Sequence, residues 1–492
     1  MDSKISIENT KLLLFSIVTA FIAYGFPLTN YSLSIDSETG IGSDFAMSLG
    51  RWGTNLVRYH IFHGHLPYFT MLLGLLLLSL TAVELSKMFK ISGVMSYAFC
   101  ALFLTIPQHA YQLVFTMQAD VVPLGFLLSV FTVKYFLTAS ENLFSIKSAF
   151  YLLISALLLM FVVALYQALF IIPVVVYLIV FFQKTFDADY TFKLQFKNAL
   201  YFVALSIVGL LLYYISAKII CPPSEAGYLS SYTTGDLGSQ FANNLSVWLK
   251  NLVGNWYYGD KTYIVSSILI VASMVKLALE KKHFLIRFAI LFSLLILPFT
   301  FTFLIANGYH PPRIYVTSGI VFAFIIVHFI SKVKYQHQLL ALCSLICVAN
   351  IYFITKLFYS NSRVANHDKV MAEKIDFTIR NKYPEFEDNV TYVYFYGFLP
   401  YEHHQHLRLE DSEIFGGSIF NWDNGDNYRI INMFKFYDIA YYRYLDNKEV
   451  YLSIKDSVNE MPIWPNKESI KKVNNVVIIK LGNQKGAPLW IE

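Results

Sequence analysis

SAFYLLISALLLMFVVALYQALFIIPVVVYLIVFFQ, residues 148–183, contains no Asp, Glu, Lys or Arg. A bilayer core about 30 Å thick is crossed by about 20 apolar residues in a helix, so this run suffices for two crossings. It is interrupted at Tyr166-Gln167, with Pro173 soon after. We read a tight turn between helices 148–166 and 168–183. Working outward, similar segments run roughly 11–29, 67–86, 91–107, 113–139, 198–220, 262–280, 284–306, 314–331 and 338–358, which makes about eleven transmembrane helices. The first has a polar N-terminal flank and no small-residue cleavage site, so it reads as an anchor rather than a removed signal.

The composition of the 492 residues agrees. Hydrophobic residues are 56% and charged residues 14%, where a soluble chain carries about a quarter charged. Of 33 acidic residues, 19 follow residue 358. The fold class is therefore a polytopic α-helical membrane protein, residues 1–358, followed by a small α/β domain, residues 359–492. That domain holds an amphipathic helix at 366–382 and strands at Val390–Tyr396 and Val473–Leu481. The five tyrosines of 437–451 read as core packing ahead of sugar stacking. A net charge of +5 is too small and scattered for nucleic acid, and Cys100, Cys221, Cys343 and Cys347 have neither disulfide nor zinc spacing.

Lys and Arg concentrate in alternate short loops: Lys87 and Lys90, Lys147, Lys184, Lys193 and Lys197, Lys281, Lys282 and Arg287, Lys332 and Lys334. The positive-inside rule makes those loops cytoplasmic, together with the N-terminus. The large loops 30–66 and 221–261 and the C-terminal domain then face the far side.

Polar residues on that face are the candidates for chemistry. In YSLSIDSETGIGSDFAMSLGRWGTNLVRYHIFHGHLP, Asp36 and Glu38 stand two apart just beyond the first span, and Asp44, Arg51 and Arg58 follow. A carboxylate takes a proton from an attacking hydroxyl, and a guanidinium grips phosphate oxygens in pairs, which suits a lipid-linked phosphate donor. The plainer alternative is a solvated loop with a structural Arg–Asp pair. His109, Gln118 and Asp120, near Gln108 and Gln112, form a polar edge for a hydroxyl-rich ligand or an interhelical network, and Tyr166 and Gln167 face the same space. In NGYHPPR, His310 and Arg313 stand at the mouth of two spans, for a phosphate partner or for snorkelling to headgroups. Trp256 is an interfacial anchor first and a sugar platform second. No GxxxxGK[ST], GxGxxG, HExxH or GxSxG occurs. EHHQH at 402–406 is a weak metal motif, so no metal site is assigned.

The run IDSE, then GRWG at 50–53, then HLP before a leucine-rich span resembles the type II family of serotype-converting O-antigen glucosyltransferases of phages and prophages. YQALF at 166–170 and the Pro-Pro-Arg loop are similar in kind. The resemblance implies a GT-C-type glycosyltransferase that takes glucose from polyprenyl-phosphate-glucose and transfers it, with inversion, to an O-antigen or lipopolysaccharide precursor in the periplasm. It implies Asp36 as base with Glu38 second or orienting, Arg51 and Arg313 on the donor phosphate, and no cofactor. Membrane lipids surround it, and a donor-synthesising glucosyltransferase and a donor flippase supply it. The alternatives are another lipid-donor transferase, including one acting on lipid A, and an O-antigen flippase. Functional polar groups crowd one face, which favours the enzyme over the transporter.

Overall fold

The fold is described from a computed structural model, at residues 2–38, 43–64, 66–141, 145–221, 235–280, 283–400, 408–409 and 412–484. The chain forms two compact units. One comprises Met1–Thr29 and Gly42–Thr355, the other Asn30–Ile41 and Lys356–Glu492.

The first unit is helical. Among the described residues, nine helices are long and apolar enough to cross a membrane: Ile7–Thr29, Pro67–Met88, Val121–Ser140, Ile146–Leu165, Gln167–Lys184, Phe192–Ile220, Asp260–Leu279, Phe284–Leu304 and Gln336–Lys382. This is a membrane protein. Two further apolar helices, Val94–Thr105 and Ser318–Ile330, fall where spans are expected but are short. At 1.5 Å per residue each covers only about 20 Å. Of the eleven expected segments, nine are long helices among the described residues and two are short ones. Ser318–Ile330 is apolar on every side and almost wholly buried, as a helix without a polar face must be.

Proline explains one of the short helices. Pro107 forces Ile106 into extended backbone, which ends Val94–Thr105. The chain then makes short turns at Pro107–His109 and Ala110–Leu113, and the next long helix begins only at Val121. The expected span 113–139 therefore starts about two turns late. Irregular backbone is tolerated at such depth where protein buries it, and residues 106–116 are buried throughout. The break at Tyr166 is real: its backbone is extended, and a 3-10 turn Gln167–Phe170 precedes helix Ile171–Lys184.

The helix expected at 366–382 is not a separate element. One helix of 47 residues, Gln336–Lys382, contains both it and the last apolar segment, because no Gly or Pro interrupts it before Pro384. The second unit holds a four-stranded sheet: β1 (Tyr392–Tyr396), β2 (Arg443–Tyr444), β3 (Ile470–Val473) and β4 (Val476–Lys480), in the order β2-β1-β4-β3. β1 runs parallel to β2 and β4, and β3 pairs antiparallel with β4. Every residue of β4 is buried, as a strand covered on both faces requires. The expected strand 473–481 is therefore the end of one strand and the whole of the next, turned at Asn474, whose φ is +53°. Tyr442 and Tyr451 pack in the core, while Tyr441 is exposed.

Candidate functional site

In the first unit, GRWG docks onto the break at Tyr166. Gly50 sits at φ +73° with the Tyr213 hydroxyl where a Cβ would point, and Gly53 lies against the Ala164–Leu165 backbone too closely for a side chain. Thr54 Oγ1 donates to Leu165 O (2.6 Å), and Trp52 Nε1 donates to Ser216 Oγ (3.1 Å). Between the glycines, Arg51 Nε donates to Gln167 Oε1 (3.1 Å), and its guanidinium lies 4.7 Å from the Tyr166 ring centre. Gln167 Nε2 in turn donates to Leu49 O (2.6 Å). Arg51, Tyr166 and Gln167 thus form one arrangement, built from two motifs more than a hundred residues apart.

Arg58 takes a different partner. One turn after GRWG, in a π-helical segment Leu56–Ile61, it pairs with Asp120 Oδ1 and donates to Met117 O (3.2 Å), and both ion-paired side chains are 1% exposed. Arg58 and Asp120 were expected on phosphate and sugar respectively; here each charge compensates the other.

The 107–118 segment and Trp256 clamp the NGYHPPR loop. Gln108 Nε2 donates to Pro312 O (3.4 Å), Gln112 Nε2 to Arg313 O (2.5 Å) and Trp256 Nε1 to His310 O (3.0 Å). Arg313 lies over the Phe115 ring at 5.2 Å. Both His310 ring nitrogens, and the side-chain oxygens of Gln108, Gln112 and Gln118, are buried without a hydrogen-bond partner among the described residues. Burial lowers His310 to about 4, so its imidazole is neutral near pH 7. A neutral imidazole both donates and accepts, which suits a hydroxyl better than a phosphate. The His109 ring lies edge-on to Phe103 and Phe126, so aromatic packing holds it.

In the second unit, Asp36 and Glu38 meet a residue the sequence reading missed. Arg429 Nη2 lies 2.9 Å from Asp36 Oδ1, Nη1 2.5 Å from Glu38 Oε1, and Nε 2.8 Å from Asp423 Oδ2. All three guanidinium nitrogens therefore engage a carboxylate. The fork is built locally. Arg429 stands on the first turn of helix Asn427–Phe436, whose N-cap Asp426 accepts from the Arg429 amide (3.1 Å). Asn427 brackets Phe395 at the end of β1, accepting from its N–H (2.7 Å) and donating to its carbonyl (2.8 Å). On the other side, Ser37 N donates to Ser34 O (3.0 Å), a turn that holds Asp36 at φ +73°, where Asp is tolerated better than most residues. Asn361 fastens the same segment through Leu33 O (3.2 Å).

The two carboxylates differ. The Glu38 side chain is fully buried, its Oε2 has no hydrogen-bond partner among the described residues, and burial lifts it to about 7 against the pull of Arg429. The Asp36 side chain is 40% exposed. Of the two, Asp36 reaches solvent and Glu38 is buried. No sequence signal short of pairing a buried Glu with some cation pointed to Arg429.

Arg51, Arg58 and Arg313 belong to the first unit, and Asp36 and Glu38 to the second. Asp44 lies in helix Ser43–Ser48, with its side chain outside the described residues, as are residues 402–406. Among the described residues, no group of three or more His, Cys, Asp or Glu could hold a metal ion. A family model described as glucosyl transferase GtrII matches residues 25–328, more than half of the chain. No curated protein and no solved structure matches it.

Proposed function

The chain belongs to the GtrII glucosyl transferase family, and from that premise we propose that it transfers glucose from polyprenyl-phosphate-glucose to an O-antigen repeat on the periplasmic face of the inner membrane. The observation that carries the assignment of roles is the Arg429 fork, in which Asp36 and Asp423 reach solvent, Glu38 is buried, and only Asp36 follows the first span. An acceptor hydroxyl attacks the anomeric carbon and gives its proton to Asp36. The bond from that carbon to the phosphate oxygen breaks, and its electron pair leaves with polyprenyl phosphate. One attack on one face inverts the anomeric centre. Phosphate is a good leaving group, so a single base suffices, the base half of two-carboxylate glycosidase logic. Glu38 and Arg429 position Asp36. Arg51, held by Gln167 and Tyr166, and Arg313 are assigned to the donor phosphate, where a planar fork matches phosphate geometry. His310 and the amides of Gln108, Gln112 and Gln118 are assigned to sugar hydroxyls.

The test is glucosylation of O-antigen in cells that supply the lipid-linked donor, read by mass spectrometry and linkage analysis, with membrane expression checked by blot. Asp36→Asn keeps the shape and tolerates the same φ, so it removes basicity alone. Positioned base catalysis contributes about 10²–10⁴-fold, and the expected outcome is a loss of that size at normal expression. Arg429→Lys keeps one charge but cannot reach three carboxylates, and transfer falls while the protein persists. Wild-type transfer by Asp36→Asn overturns the base assignment.

A further inference from the structure

A cleft of about 310 Å³ opens in the first unit between the turn after Pro67–Met88, the end of helix Ile171–Lys184 and the end of Ser318–Ile330. Its polar lining is Lys90, Ser92, Gln183, His328, Ser331 and Lys332, over an apolar floor that includes Phe89 and Phe324. No Asp or Glu lines it. Lys90 and Lys332 arrive from separate turns, and neither forms an ion pair with a described carboxylate. Lys90 is fixed by Lys90 N→Lys87 O and Ile91 N→Ser86 O, both 3.0 Å, at φ +50°. Lys332 Nζ lies 5.7 Å from the Phe186 ring. A third cation backs the same ring: Arg287, 4% exposed, stacks on Phe186 at 3.9 Å and donates to Thr185 O (2.6 Å) and Thr185 Oγ1 (3.0 Å). Lys184, next to the lining residue Gln183, feels Lys90 together with Asp187, Glu141 and Asp189, none of which lines the cleft.

Ser331 Oγ donates to His328 O (2.7 Å) and Gln183 Nε2 to Phe89 O (2.5 Å). The two lysines on a concave space with no lining carboxylate, with the Ser92 hydroxyl beside them, are therefore the donors for a phosphate. The apolar floor and the position at the ends of apolar helices are what a headgroup with attached acyl chains needs. We propose that this cleft binds the phosphate of an anionic phospholipid headgroup, at the end of the bundle where the short lysine-rich loops lie. Nothing in the glucosyl transfer chemistry requires it, so the two readings stand or fall separately.

The test uses the full-length chain in neutral detergent, with thermal unfolding followed in the presence of phosphatidylglycerol, phosphatidylcholine or inorganic phosphate. Phosphatidylglycerol is expected to raise Tm and the other two to leave it in place. The Lys90→Gln/Lys332→Gln double variant loses that rise, while Lys147→Gln, on another lysine loop outside the cleft, retains it. Ser92→Trp fills the space without changing charge and also loses it, which keeps the test decisive if the double variant fails to fold. A full rise with inorganic phosphate alone overturns the lipid assignment. An undiminished rise in the double variant, or equal loss in Lys147→Gln, overturns the site.

Discussion

Arg58 and Arg429 both hold carboxylates, in different proportions. Arg58 meets one described carboxylate, Asp120, with both side chains 1% exposed. Arg429 meets three, and two of them, Asp36 and Asp423, are 40% and 54% exposed. A closed one-to-one pair out of water neutralises itself and fixes two segments of chain. One cation among three anions leaves negative charge over, and an exposed carboxylate from such a set is available to take a proton. Proportion and exposure, rather than the presence of an Arg–Asp contact, distinguish the two clusters, and the proposed base is drawn from the exposed one.

The largest effects come from deleting each cation. Arg58→Met leaves Asp120 buried and uncompensated, which costs about 3–5 kcal/mol, and membrane yield should collapse. The Arg58→Met/Asp120→Leu double variant should recover most of that yield, since an apolar pair replaces an ionic one. Arg429→Met with Glu38→Leu should recover folded protein without recovering transfer. Restored transfer there would erase the distinction between the two arginines.

A smaller effect is pH dependence. The ordinary Glu38 carboxyl titrates at 4.5 and the folded one at about 7. Between those values the folded protein keeps a proton that the unfolded chain has released, so this group's stability contribution is full below 4.5. It declines as pH rises toward 7 and is flat above. The span corresponds to on the order of 3 kcal/mol. The difference in Tm between wild type and Glu38→Gln, scanned from pH 4.5 to 8, should change in that window, with the variant gaining relative to wild type at the alkaline end. The smallest effect is Trp52→Phe, which loses the bond to Ser216 and should lower stability by about 1 kcal/mol in the same melt.

The helical unit was largely legible because hydrocarbon demands long apolar runs, and such runs announce themselves. Helix ends were less so. Pro107 and the turns after it cut two expected spans, while the absence of Gly and Pro from 336 to 382 fused two expected helices into one. GRWG and YQALF were visible as motifs, but only the fold brings Arg51 to Gln167. Asp36 and Glu38 stood out as charges beside an apolar span. Their partner did not, because DNYR reads as an ordinary helix start and carries no mark of what its arginine faces. Nor does periodicity reveal that residues 30–41 group with the C-terminal unit. Such assignments depend on contacts between distant positions, which a single sequence does not encode locally.

That distance has a biosynthetic consequence. Glu38 and Arg429 are 391 residues apart in the chain, and a ribosome adds about 5–20 residues per second. Asp36 and Glu38 therefore emerge roughly 20–80 seconds before the arginine they share. Throughout that interval the nascent chain carries Asp36 and Glu38 without this cation, so the trio closes only near the end of synthesis. A chain released between residues 382 and 429 has its apolar helices and lacks this arginine. Completion of translation itself thus licenses the proposed chemistry.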